Sequence, residues 1–184
     1  MNNVKVKVIE LEKFTDKQKK DIKDLQKQVF VNIDKKEAKE DFYNPELAGV
    51  FAYVDDKLVG YAGIHESEVE FEGEMINLGG CGIGVREDMR RKGIATKMCQ
   101  EAMKYLESKD YDVGFLSIDL SKPWTDKLHK KFGFVHLPRK FSWKNIHGDI
   151  KESKGGMIAP IGSKEKFEKV LKGKNVFYVG KGYW

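Results

Sequence analysis

The sequence predicts one mixed α/β domain spanning residues 1–184. Three observations predict it. Apolar residues recur with period 2 in some segments and near 3.6 in others. No segment repeats, and no linker is long enough to split the chain. With 40% apolar residues in 184, the chain can build a single core, which commonly serves ~100–200 residues.

Each element has a local reason. Val4, Val6 and Val8 alternate with lysine, the pattern of a half-buried strand. Thr15 followed by Gln18 forms a capping box, and Ile22, Leu25 and Val29 then recur at helical spacing. A second helix is expected over 34–43, closed by Asn44-Pro45. Residues 49–54, the turn Asp55-Asp56-Lys57 and residues 58–71 read as a hairpin. Glu72-Gly73-Glu74 turns the chain into a further strand, 75–85. A polar loop, 86–93, precedes an amphipathic helix with apolar positions Ile94, Met98, Ala102, Tyr105 and Leu106. Residues 112–120 read as a strand; Ser121 then caps a helix with Pro123 in its first turn, ending near Gly133. The remainder comprises Phe134-Val135, a basic stretch, a Gly155-Gly156 break, an apolar run 157–161, a short helix capped by Ser163, and residues 175–180.

Composition removes several function classes. The longest apolar stretch, 47–54, is far short of the ~20 residues a membrane span needs. The first residues alternate valine and lysine, unlike a secretory signal. Cys81 and Cys99 make no disulfide framework and no CxxC pair, so no metal is expected. A reduced, soluble, cytoplasmic protein is the expectation. The net charge is +5, but 30 of its 34 bases are lysine, whereas phosphate and base-edge readers favour arginine forks. The run Glu66, Glu68, Glu70, Glu72 and Glu74 reads as the wet face of a hairpin. Residues 122–144 carry seven bases and one acid, a local +6. They lack the Arg/aromatic interleaving of a strand-binding surface, Arg139 being their one arginine, so no nucleic-acid partner is expected.

The segment that carries chemistry is 85–96: a strand end, a basic glycine loop and a helix start. Backbone N–H groups at a helix start lack intrahelical partners, and the macrodipole there favours anions. Gly93 leaves room for a phosphate to approach, Ala95 keeps the first turn slim, and Arg90, Arg91 and Lys92 add positive potential. The unit can cradle a pyrophosphate, although the same residues also suit an ordinary strand-to-helix connection.

Arg90-x-x-Gly93-x-Ala95 resembles motif A of the GNAT superfamily of N-acetyltransferases, and Leu128-His-Lys-Lys-Phe-Gly-Phe134 is similar to its motif B. The order and the separation of about 35 residues also suit that family, and the resemblance runs from Thr15 to Phe134. It implies a mostly antiparallel central sheet with a V-shaped splay between two parallel strands, flanked by helices. It also implies acetyl-CoA as co-substrate, held by the backbone of Ile83, Gly84 and Val85 and by Arg90, Arg91, Lys92, Gly93, Ile94, Ala95 and Thr96. Acetyl would pass directly to a primary amine. His129 stands where the family usually has the tyrosine that protonates the departing thiolate, so it is the candidate acid. Cys81 stands where members often have a glutamate base, and Glu74, acting through water, is the substitute candidate.

Within the superfamily the chain looks most like the aminoglycoside 2′-N-acetyltransferases. The similarity lies in 58–64, the glycine-rich strand, 157–161 and the ending Gly182-Tyr183-Trp184. It makes Cys81, Tyr183 and Trp184 candidates for the acceptor pocket. The acidic residue expected before the terminal Trp is Gly182 here, and a pI near 9.0 opposes a polycationic acceptor. The expected acceptor is therefore a small-molecule amine other than the antibiotic. A protein or peptide amine, and acyl-CoA binding without turnover, are the alternatives. A homodimer is compatible with the reading.

Overall fold

The computed structural model describes residues 4–29, 46–121 and 123–182. The expected helix over 34–43 lies outside them. The strands are β1 (Lys5–Glu10), β2 (Ala48–Val54), β3 (Lys57–Phe71), β4 (Glu74–Val85), β5 (Val113–Ser117), β6 (Val135–His136), β7 (Phe141–Lys144), β8 (Ile150–Ser153), β9 (Gly156–Pro160) and β10 (Phe177–Lys181). The helices are α1 (Asp16–Val29), α2 (Ile94–Glu107), α3 (Pro123–Lys130) and α4 (Lys164–Lys172). Seven strands form one sheet in the order β1-β2-β3-β4-β5-β9-β6. Every neighbouring pair in it is antiparallel except β4–β5, which is parallel.

Period-2 alternation sorts this sheet's side chains onto two faces. Ala48, Val50, Ala52, Ala62 and Ile64 face α2, whose Ile94, Met98, Ala102 and Leu106 are buried against them. Phe51 and Tyr61 point to the other face and meet Phe14, Ile22 and Leu25 of the α1 region. The start of α1 has its capping box: Thr15 N–H donates to Gln18 Oε1 at 2.8 Å and Gln18 N–H to Thr15 Oγ1 at 3.2 Å. Ser163 caps α4 by accepting from Lys166 N–H at 3.2 Å. Both hairpin turns use left-handed residues, Asp55 and Asp56, then Glu72 and Gly73, in keeping with the twist of the strands they join.

The basic stretch after residue 135 holds structure that the sequence reading left unassigned. β7 and β8 form a hairpin, and β10 pairs parallel with β7 to give a second, three-stranded sheet. Asn145 Oδ1 accepts from the N–H groups of His147 and Asp149, and Gly148 takes positive φ, so a five-residue turn closes the hairpin. Phe141, Trp143, Phe177 and Val179 pack on Val69, Phe71, Ile76 and Leu78 of the large sheet. Two expected elements are shorter than read. The strand over 112–120 is Val113–Ser117, because Asp119 accepts from Ser121 and bends the chain out of the sheet. The following helix stops at Lys130, and Gly133 ends that turn at φ +81°.

Candidate functional site

The parallel ladder between β4 and β5 consists of Leu78↔Val113 and Gly79↔Gly114 and stops there. β4 continues to Val85 with its other edge paired to β3, up to Val85↔Gly60. β5 continues to Ser117 with its other edge paired to β9. Each strand is thus held by its outer neighbour while the inner edges part, opening a V beyond Gly79. Buried backbone amides need partners, so an extended ligand with amide groups can complete these edges as an added strand does. Ile83, Gly84 and Val85 lie on the β4 arm of the V.

The chain leaves this arm through a short 3-10 turn, 87–89, and enters α2 with Gly93 as N-cap at φ +76°. No side chain caps the helix start. A Cβ built at Gly93 meets nothing within 4 Å among the described residues, so the approach to the first amides is open. Arg91 is also left-handed, at φ +61°. Arg90 has a different job from the one its position suggests: its Nε donates to the Val85 carbonyl at 3.1 Å, fastening the loop to the end of β4. Arg86 is paired with Asp88. Arg91 and Lys92 are exposed beside Gly93 and supply the positive potential there.

On the α2 side of the V lies a narrow cleft lined by Gly80, Cys81, Cys99, Leu116, His129 and Phe132 among others. His129 is 9% exposed, and its ring meets Phe134 edge-on. Burial lowers its pKa to about 4, outweighing the opposing pull of the Asp126 carboxylate. The imidazole is neutral near pH 7, with one N–H donor and one acceptor nitrogen. Cys81 is partly exposed, and desolvation pushes its thiol up to about 12. It is therefore a neutral thiol rather than a proton acceptor. Cys99 is raised too, by burial first and by Cys81 second.

Cys81 and His129 are brought together in this cleft. Glu74 is not. It opens β4, seven residues before Cys81 or ~23 Å along an extended strand, and its Oε2 is 2.9 Å from Lys169 Nζ. Tyr183 and Trp184 lie outside the described residues. No cluster able to hold a metal ion occurs among the described residues, and no described helix is long and apolar enough to cross a membrane. Two features escaped the sequence reading: the Arg90 fastening, and a Tyr61–Glu46 hydrogen bond on the face opposite α2. Glu46 follows Pro45 at the edge of a strand, where no spacing rule singles out a carboxylate.

The fold recurs in solved structures. Escherichia coli ElaA superposes with a TM-score of 0.61 at 15% identity, covering 85% of this chain and 99% of that one. The ribosomal-protein-S18-alanine N-acetyltransferase of E. coli gives 0.59 at 13% identity, covering 88% and 97%. An N-acetyltransferase from Staphylococcus aureus Mu50 gives 0.58 at 16%, covering 86% and 99%. No curated protein sequence matches the chain. The sequence model described as the Acetyltransferase (GNAT) family matches residues 15–134, the span that contains the splayed strands, the glycine loop and the His129 helix. The chain therefore belongs to the GNAT acetyltransferase family.

Proposed function

We propose that this protein transfers acetyl from acetyl-CoA directly to the primary amine of a small molecule. The observation that carries the reading is the splay: the β4–β5 ladder ends at Gly79↔Gly114, and β4 runs on as an open arm to Val85, from which the glycine loop leads into the start of α2. In this reading acetyl-CoA supplies the thioester. The amides of Ile94, Ala95 and Thr96, with Arg91 and Lys92, hold its pyrophosphate. The β4 arm at Ile83, Gly84 and Val85 pairs with its amide-bearing arm. Arg90 keeps loop and arm in register through the Val85 carbonyl. A backbone N–H of the same arm faces the charge that develops on the acetyl oxygen.

Overall, the amine nitrogen gains the acetyl carbon and the carbon–sulfur bond breaks. The starting ammonium gives up two protons, one ending on the thiol and one in solvent. His129, neutral at the wall of the cleft, serves the departing sulfur as a hydrogen-bond donor through its N–H. Glu74 has no part at the splay, and Cys81 lines the wall as a thiol. The likeness to aminoglycoside 2′-N-acetyltransferases is kept for architecture and donor only. Gly182 in place of an acid and a pI near 9.0 speak against a polycationic acceptor.

A second reading, acyl-CoA binding without turnover, is favoured by the neutral His129 and the raised Cys81 thiol. Calorimetry with acetyl-CoA, followed by a thiol-release assay over primary amines, decides between the two. Binding with amine-dependent thiol release is the expected result. Binding without release from any amine supports the second reading, and no binding at millimolar acetyl-CoA removes both.

A further inference from the structure

We propose that Glu46, held by Tyr61 over Gly63, is the carboxylate that receives the acceptor's ammonium group, and that Gly82 is bare so that the acceptor can reach the splay. This rests on the acetyl-transfer reading above and adds the acceptor side, which neither the glycine loop nor the His129 cleft supplies.

Gly63 and Gly82 are directly paired across β3 and β4, so they share a face of the sheet. That face is opposite α2, because the neighbouring Ala62, Ile64, Cys81 and Ile83 pack on the α2 side. On it the Glu46 carboxylate lies directly over β3: a Cβ at Gly63 would stand 2.7 Å from Glu46 Cδ. Only glycine admits the carboxylate so close. Tyr61, two residues before Gly63 and on the same face, donates its hydroxyl to Glu46 Oε2. Burial and the Glu46 charge raise the Tyr61 phenol far above its ordinary value, so it remains a donor. Among the described residues no donor is bonded to Oε1, which leaves the oxygen nearer Gly63 able to accept.

Gly82 is exposed, and a Cβ there meets nothing within 4 Å among the described residues. Neighbouring strands lie ~4.8 Å apart, so a carboxylate over Gly63 is about one strand from the arm of the V. A primary amine is an ammonium near pH 7 and requires an acceptor-only group to steer it. The acidic run does not provide one here. Glu66 pairs with Gly79 on the α2 face, and its Oε2 accepts from Tyr111 at 2.6 Å. Glu68 and Glu70 alternate onto that same face. Glu46 faces the acceptor side, beside the arm of the V, and is fixed in orientation by Tyr61.

The test uses the whole chain and thiol release with n-butylamine, 1,4-diaminobutane, benzylamine and glycylglycine, taking forward the best of the four. Glu46→Gln keeps the size of the side chain and an oxygen for Tyr61, so the fold is retained. It is expected to raise KM for the amine by about tenfold or more, with acetyl-CoA affinity by calorimetry unchanged. Tyr61→Phe is expected to raise it about threefold, because the carboxylate stays but loses its orientation. Gly82→Val suits an exposed strand position and is expected to lower kcat/KM more for benzylamine than for n-butylamine. A wild-type KM in Glu46→Gln overturns the proposal. So does an equal loss of acetyl-CoA affinity, which marks a structural role. Acetyl-CoA binding by the wild type with no release from any of the four amines overturns the transfer reading itself.

Discussion

His129 shows how a residue's position can be legible while its chemistry is not. Leu128-His-Lys-Lys-Phe-Gly-Phe134 places an imidazole at the proton-donor position of the family's motif. Flanking lysines in the sequence suggest a solvated ring. The tertiary structure instead buries it to 9% exposure beside Phe134, and desolvation lowers its pKa to about 4 from the ordinary 6.5. Between those values the unfolded chain binds a proton that the folded chain does not. Stability is therefore full above pH 6.5 and falls as pH drops toward 4. For this group the loss between pH 7 and pH 5 is about 2 kcal/mol. Urea unfolding at both pH values should show that increment in the wild type and its absence in His129→Leu; equal pH dependence in the two proteins would mean that the folded imidazole titrates as it does in the unfolded chain.

Gly93 belongs to the scale of elements, since it decides how strand, loop and helix join. The sequence made this unit readable, because a glycine flanked by bases at a helix start has a local physical meaning. What it left ambiguous was the division of labour among Arg90, Arg91 and Lys92. Arg90 turns back to the Val85 carbonyl, a contact over five residues that depends on where β4 ends. Gly93 itself is left-handed, with open space around its Cβ position among the described residues. Gly93→Val should therefore cost about 1–2 kcal/mol of stability from backbone strain alone. It should also lower acetyl-CoA affinity by more than tenfold by crowding the first amides of α2. Calorimetry beside urea unfolding separates the two effects, and unaltered affinity would remove the loop from the binding site.

At the scale of the whole molecule, two sheets share one core. Phe177 of β10 is fully buried, with its ring centroid 5.2 Å from Phe71 and 6.2 Å from Phe115, so it ties the small sheet to both sides of the parallel junction. Phe177→Ala should destabilise the chain by about 4 kcal/mol, read as a lower urea midpoint in a single transition. An early separate transition would show that the small sheet unfolds alone. This sheet was missed because its strands are short: β7 and β8 have four residues each, and the partner β10 arrives more than thirty residues later. Period, caps, turn residues and the glycine loop are local properties, and the sequence by itself determined the α/β class, the order of most elements and the strand–glycine loop–helix unit. The point at which β4 and β5 part, the burial that neutralises His129, and the arrival of Glu46 over Gly63 were decided only by the tertiary structure. Each depends on residues far apart in the chain, whose distance in space no local pattern encodes.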